Sequence, residues 1–289
     1  MTWSEETLHR WLAQRAGRAG DDAVFLAPPR GRLVACADQC IEGVHWERGT
    51  APARVGAKAA ARSLSDLAAS AARPVALLCT LRAPRAQSEA WMRAVLAAVD
   101  RRGRDFGAPL RGGDLACAPG PAALSVTALG ELARGRPPER ARARPGHVLL
   151  ATGPFGGSRL GRHLRLEPRV ELGRWLAAHG AAALMDVSDG LARDLARLAR
   201  AAGARAHLLN VPVHPDARRA ARADGKSAEW HALHDGEDHE LLAALPPAAA
   251  RRALALRPEL IELGRLERGA GLLIRGAPWD GEGGYVHGA

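Results

Sequence analysis

Lysine, aromatic rings and cysteine are all scarce in this 289-residue chain. Of its 41 Lys and Arg residues only Lys58 and Lys226 are lysine, so the net charge of +10 comes from arginines scattered singly along the sequence. The one dense run, residues 134–144, is broken by proline. A nucleic-acid binder needs basic residues gathered on one face and rings that stack on bases. With seven Trp, three Phe and one Tyr, the composition argues against nucleic acid as a partner. The four cysteines, Cys36, Cys40, Cys79 and Cys117, contain no Cys-x-x-Cys pair and no histidine at zinc-finger spacing, and read as free thiols in a reducing compartment. No apolar stretch approaches the roughly 18 residues that a membrane-crossing helix needs. The N-terminus carries acidic residues where a signal peptide would be apolar. These absences predict a cytoplasmic protein with no membrane partner.

Familiar nucleotide motifs are missing too. Gly225-Lys226-Ser227 lacks the earlier glycine of a P-loop, since position 220 is alanine, and no G-x-G-x-x-G occurs. Any ATP would therefore be held through metal and backbone rather than through a P-loop lysine. Residues 153–158, Gly-Pro-Phe-Gly-Gly-Ser, could offer amides to phosphate.

What is present is an ordinary globular balance, 47% hydrophobic and 25% charged, in a length that suits two domains. The spacing predicts helices over 4–16 (with Ser4 as N-cap), 52–72, 87–103 and 191–203. Strands are expected over 32–38, 74–82, 122–131, 147–152, 182–187 and 205–211, with a turn at Arg111-Gly112-Gly113-Asp114. The far C-terminus reads as short strands and glycine-rich turns. Alternation of strands and helices gives an α/β to α+β class, and the Pro/Gly loop over 133–146 is the domain boundary.

The acidic residues carry the chemistry. Asp21 and Asp22 follow Gly20, Asp38 ends a strand, Asp66 lies in Ser-Leu-Ser-Asp-Leu, Asp114 follows Gly112-Gly113, and Asp186 and Asp189 flank Val187-Ser188. Glycine beside a carboxylate lets backbone approach a ligand closely. If such carboxylates converged about 5 Å apart, each ionised pair would repel by roughly 3 kcal/mol at an effective dielectric near 20. A hard divalent cation, which magnesium is, relieves this while bridging to substrate phosphates. The plainer reading keeps each Asp as a turn or cap residue, with Asp66 paired to Arg62 one helical turn earlier. His231, His234, Asp238 and His239 form a second candidate cluster, either a metal site or a solvated loop. The solvated loop is the plainer of the two readings.

Gly20-Asp21-Asp22-Ala23, Asp38 with Glu42-Gly43-Val44-His45-Trp46, Ser65-Asp66-Leu67-Ala68-Ala69, Gly112-Gly113-Asp114, Thr152-Gly153, Met185-Asp186-Val187-Ser188-Asp189-Gly190-Leu191, Gly236-Glu237-Asp238-His239-Glu240-Leu241 and Gly284-Tyr285-Val286-His287 occur in one order. As an ordered set over nearly the whole chain, they resemble the thiamine-monophosphate kinase family of the aminoimidazole ribonucleotide synthetase-like superfamily. The resemblance implies that superfamily's two-domain fold, with an α/β ATP- and metal-binding, dimer-forming domain over 1–140 and an α+β domain over 141–289. It implies ATP-dependent phosphorylation of thiamine monophosphate to thiamine diphosphate with magnesium, in a homodimer. The alternatives are a diverged, weakly active or inactive paralogue, or another ATP-dependent enzyme of the superfamily.

Carried over by position, Asp22, Asp38, Asp66, Asp114, Asp186 and Asp189 hold magnesium, and Asp38, Asp66 and Asp189 are the catalytic carboxylates. Gly113, Asp114, Arg140 and Ser188 contact ATP. His45, Glu237 and Tyr285 face thiamine phosphate. The chain departs from the family pattern at Cys36 and Ala37 (hydroxyl residues in the family), Arg62 (Asn), Leu115 (Thr), His147 (Asp), His239 (Tyr) and Gly288 (an aromatic). By this reading, restoring Thr at position 37 lowers the magnesium requirement.

Overall fold

The computed structural model describes residues 5–16, 23–133 and 135–285. Ser4, Asp22 and Gly288 lie outside them. Contacts divide the chain at 134/135 into two compact units, with Ala68–Ala71 counted with the second.

The first unit runs α1 (Glu5–Ala16), β1 (Arg32–Ile41), α2 (Pro52–Ala69), β2 (Arg73–Ala83), α3 (Glu89–Asp105), β3 (Leu110–Cys117) and β4 (Ala123–Leu132). Its sheet has the order β1-β4-β2-β3. Strand β4 is antiparallel to β1 and β2, and β3 is parallel to β2. Period-two alternation gives the sheet two unlike faces. Leu124, Val126 and Ala128 of β4 are buried together with Leu77, Cys79 and Leu81 of β2. Helix α2 closes this side, where Ser63 Oγ donates to Val126 O at 2.8 Å. On the other side Leu33, Ala35, Ala37 and Gln39 of β1 are exposed. Helix α3 starts at Ser88, whose hydroxyl accepts from Trp91 N and satisfies one of the helix's free N–H groups.

The second unit contains β5 (Val148–Ala151), α4 (Val170–Ala178), β6 (Ala183–Asp186), α5 (Leu191–Ala201), β7 (Arg205–Leu208), α6 (Pro215–Asp224), α7 (Ala228–His234), β8 (Leu241–Leu245), α8 (Pro247–Leu256), β9 (Ile261–Glu267), β10 (Gly271–Ile274) and β11 (Ala277–Pro278). Seven strands form one mixed sheet in the order β11-β10-β7-β9-β5-β8-β6. Leu191, Leu195 and Leu198, one face of α5, are completely buried in a core with Phe155, Leu149, Leu242 and Leu263. Each such side chain contributes about 1.5–3 kcal/mol by leaving water.

Several elements differ from the sequence expectation. The Arg111–Asp114 turn is part of strand β3. Gly113 is needed there because a Cβ would lie 1.7 Å from Cys79 O on the neighbouring strand. Strand β1 does not stop at Asp38; its pairing with β4 runs on to Ile41↔Ala123. Helices α4, α6, α7 and α8 and strand β8 stand where no element was expected. Residues 135–140, assigned by sequence to the first domain, belong to the second unit, where Pro138 O accepts from Leu184 N at 3.1 Å.

Candidate active site

In the first unit, Asp38 sits in mid-strand. It is in register with Val126, which in turn faces Cys79. Both neighbours are at most 1% exposed, so Asp38 shares the helix-covered side of the sheet. Arg62 Nη2 lies 3.7 Å from Asp38 Oδ1, with the two side chains 11% and 24% exposed. Asp38 Oδ2 is buried without a hydrogen-bond partner. Asp66, half-buried, stands one turn beyond Arg62 on α2.

Asp114 is in register with Thr80, and Thr80 with Ser125. This is the adjacent rung, so Asp114 is exposed on the opposite face of the sheet from Asp38. Ala37 also belongs to that open face, paired with Thr127. A hydroxyl introduced by Ala37→Thr would therefore stand on Asp114's side of the sheet and not beside Asp38, which corrects the expectation for that change. Cys36 does share Asp38's side, but its thiol points to Ser63 O at 3.2 Å.

His45 closes the turn after β1. Its Nδ1 accepts from Ile41 N at 3.0 Å, which leaves Nε2 as the protonated nitrogen of a neutral ring. Its carbonyl accepts from Lys58 Nζ at 2.6 Å. Lys58 is 1% exposed. The sequence singled out neither the burial nor the partner of this lysine.

In the second unit, the segment after β6 carries Asp186, Ser188 and Asp189, and the segment before β8 carries Glu237 and His239. The two pair through backbone: Glu237 N donates to Ser188 O at 2.7 Å and His239 N to Val187 O at 2.8 Å. Glu237 and His239 hold φ of +56° and +53°, a left-handed conformation that costs a side-chain-bearing residue about 1–2 kcal/mol. Such strain collects at functional sites. Tyr285 N donates to Asp189 O at 3.0 Å, bringing the tyrosine to the same loop. Asp186, Ser188, Asp189, Glu237 and Tyr285 are thus gathered in one place. Arg140 is exposed in a single helical turn, Arg140–Arg142, within the 133–146 loop.

Asp194 orders this loop and was missed by sequence reasoning. Its Oδ2 accepts from Ser188 N at 2.9 Å and Asp189 N at 2.8 Å, and its Oδ1 accepts from Arg197 at 2.8 Å. Burial pushes its carboxyl up to about 6 against the downward pull of the Asp189 N–H. Arg197 also pairs with Asp189. His239 Nδ1 lies 3.0 Å from Asp186 Oδ2.

The 153–158 loop turns its amides inward instead of toward an open phosphate position. Gly156 N donates to the Asp238 carboxylate at 3.0 Å and Gly157 N to Asp235 at 2.7 Å. Arg162 pairs with Asp238 at 2.8 Å. His231 and His234 lie on α7 and not in a solvated loop. His231 has carboxylates at both ring nitrogens, Asp235 at 2.9 Å and Asp224 at 3.1 Å. Burial pulls this imidazole down, but the two carboxylates outweigh it and raise its pKa.

Burial lifts the Asp238 carboxyl to about 7, although Arg162 and the Gly156 N–H favour its charge. The folded chain therefore keeps a proton between about pH 4 and 7 that the unfolded chain releases. Stability from Asp238 is greatest at acid pH and is lost as pH rises through 7. Relative to Asp238→Asn, the wild type should lose on the order of 2 kcal/mol between pH 5 and 8. Chemical denaturation of both proteins across that range checks this; a constant difference would contradict it.

Magnesium takes oxygen ligands, commonly one or two carboxylates completed by water and substrate phosphates. In the first unit Asp38, with a buried oxygen lacking a hydrogen-bond partner, fits that demand, and in the second unit, taken by itself, so do the carboxylates Asp186 and Asp189. Among the described residues no three His, Cys, Asp or Glu side chains are gathered closely enough to hold an ion unaided. Phosphate oxygens and water would complete such a shell.

The N-terminal part of the chain is of the AIR synthase related class, since residues 20–132 match the family model of the AIR synthase related protein, N-terminal domain. A thiamine-monophosphate kinase of Rhodopirellula baltica is 37% identical over 253 residues, covering 83% of this chain and 79% of the relative. The solved thiamine-monophosphate kinase of Stenotrophomonas maltophilia K279a has a TM-score of 0.80 at 32% identity, covering 96% of this chain and 99% of that one. AaThiL complexed with AMPPCP and TMP gives a TM-score of 0.80 at 27% identity, covering 88% and 87%. The chain belongs to the thiamine-monophosphate kinase family.

Proposed function

We propose that this chain transfers the γ-phosphoryl group of ATP to the phosphate of thiamine monophosphate, giving thiamine diphosphate and ADP. The observation that carries the reading is the ordered loop of Asp186, Ser188, Asp189, Glu237 and Tyr285, in a chain 37% identical to a thiamine-monophosphate kinase over most of its length. Phosphoryl transfer asks a protein for positioning and charge neutralisation more than for covalent chemistry. Bound magnesium would supply the neutralising charge between carboxylates and phosphates. Asp38, Asp66, Asp186 and Asp189 are the residues assigned to magnesium, with Asp22 as a further ligand; Asp114, on the opposite face of the sheet from Asp38, would serve a separate ion.

Asp194 fixes the Ser188 and Asp189 amides and so holds the loop that carries both residues. Ser188, Gly113 and Arg140 are assigned to ATP, the arginine as a permanent cation for phosphate. His45 offers its Nε2 proton to a phosphate oxygen, held in that tautomer by Ile41 N–H. Glu237 and the Tyr285 ring are assigned to thiamine, whose cationic thiazolium suits a carboxylate and a π face. ADP release coupled to NADH oxidation tests the reading: it should require magnesium and rise at least about tenfold on adding thiamine monophosphate. ADP release indifferent to thiamine monophosphate would contradict it.

The same reading makes the chain a cytoplasmic homodimer formed through the open face of the four-stranded sheet. Leu33 is 58% exposed there, beside exposed Ala35, Ala37 and Gln39, and a face that leaves apolar side chains open along the edge strand β1 favours a covering partner. Asp114 lies on that face, where a second copy would bring new neighbours to it. Light scattering should give about twice 30.5 kDa, and Leu33→Asp should shift the mass toward the monomer. A monomeric wild type at micromolar concentration would refute the dimer. Among the described residues no helix is long and apolar enough to cross a membrane.

A further inference from the structure

We infer that Arg62 is a built-in counter-ion of Asp38, so that a divalent cation reaches this carboxylate only in competition with the arginine's own guanidinium. The inference rests on the reading of Asp38 as a metal ligand and adds to it a residue that sets how much metal the site requires.

Four observations support it. Asp38 is on the helix-covered side of the sheet, in register with Val126 and Cys79, which are 0% and 1% exposed. With its own side chain 24% exposed, this carboxylate keeps only part of its water and favours a nearby positive charge. Arg62 provides one, its side chain only 11% exposed. The separation of 3.7 Å is too long for a hydrogen bond, so charge rather than a directed contact joins the two groups. Asp38 Oδ2 is buried and has no hydrogen-bond partner, so half of the carboxylate has no donor of the protein competing for it.

The position of Arg62 on α2 makes the competition direct. It stands four residues, about one helical turn, before Asp66 on α2 and 3.7 Å from Asp38. A divalent ion drawn to either would meet the guanidinium at close range. Arginine keeps its charge at every working pH, so it cannot relieve the repulsion by losing a proton. Competition should therefore persist unchanged between pH 6 and 9.

Manganese alone, added to the full-length chain and followed by the electron paramagnetic resonance signal of the free ion, tests the inference. Arg62→Asn and Arg62→Gln should bind manganese about tenfold or more tightly than the wild type, given the strength of a unit charge at this range. Arg62→Lys, which keeps the charge, should stay within about threefold of the wild type. Asp38→Asn should bind more weakly. If the neutral variants are folded and bind no more tightly than the wild type while Asp38→Asn is weakened, the role of Arg62 is wrong and the metal reading stands. If Asp38→Asn binds as the wild type does, the metal reading fails and takes this inference with it. Should both neutral variants fail to fold, magnesium titration of the wild type settles the point through the Arg62 side-chain Nε–H resonance, assigned with Arg62→Lys. The signal should move as the site fills, and a signal unmoved at saturation would overturn the inference.

Discussion

Asp38→Asn should lower thiamine diphosphate formation by about three orders of magnitude, and excess magnesium should not restore it. A carboxylate about 4 Å from a cation contributes roughly 4 kcal/mol at an effective dielectric near 20, and each 1.4 kcal/mol of transition-state stabilisation is a factor of ten in rate. The asparagine keeps the size of the side chain, so β1 and its pairing with β4 should survive, and the melting temperature should move by only a few degrees. Initial rates over a magnesium series with saturating ATP and thiamine monophosphate provide the measurement. Turnover within about twofold of wild type would remove Asp38 from the centre of the site.

Asp194→Ala should be the most damaging change in the second unit. It removes the acceptor for Ser188 N and Asp189 N and leaves Arg197 without one of its two carboxylates. Unpaired buried donors cost about 1–3 kcal/mol each, so a loss of about 3 kcal/mol in stability and about a hundredfold in kcat is expected. Asp194→Asn retains an acceptor oxygen for the two amides and should lose substantially less of both. Equal damage from Asn and Ala would show that charge, not the hold on the two amides, is what Asp194 supplies. Denaturant unfolding and steady-state kinetics on the two variants separate these outcomes.

The parts of the fold that were legible in the sequence are those with strong apolar contrast. Leu191, Leu195 and Leu198 fall on one stripe and mark α5, and the alternation of β4 marks a strand with one face buried. Helix α6 carries no apolar side chain larger than alanine or proline and buries only Ala217, and so has no apolar stripe to read. Helix α8 packs through Ala249, Ala250 and Ala253, residues too common in this chain to stand out. Strand β8, Leu-Leu-Ala-Ala-Leu, is buried on both faces and loses the alternation that identifies a half-exposed strand. Strand β3 was hidden by two adjacent glycines, which suggest a turn in sequence but permit close strand approach in space.

The site divides along the same line. Asp186, Ser188 and Asp189 could be read because they stand together between a strand and a helix. Lys58 and Asp194 could not, because nothing local shows that one donates to His45 O or that the other accepts two amides from the preceding loop. The sequence placed Asp38 and Asp114 in one metal shell. Only the strand register reveals that they occupy opposite faces of the sheet, and that Ala37 goes with Asp114.

The central claim is transfer of the ATP γ-phosphoryl group to the phosphate of thiamine monophosphate. Phosphorus-31 magnetic resonance of wild-type protein with ATP, magnesium and thiamine monophosphate follows that bond directly. The two coupled resonances of thiamine diphosphate should appear together with those of ADP, at equal rates and without build-up of inorganic phosphate. ADP and inorganic phosphate appearing together, with the thiamine monophosphate signal unchanged, would contradict the account.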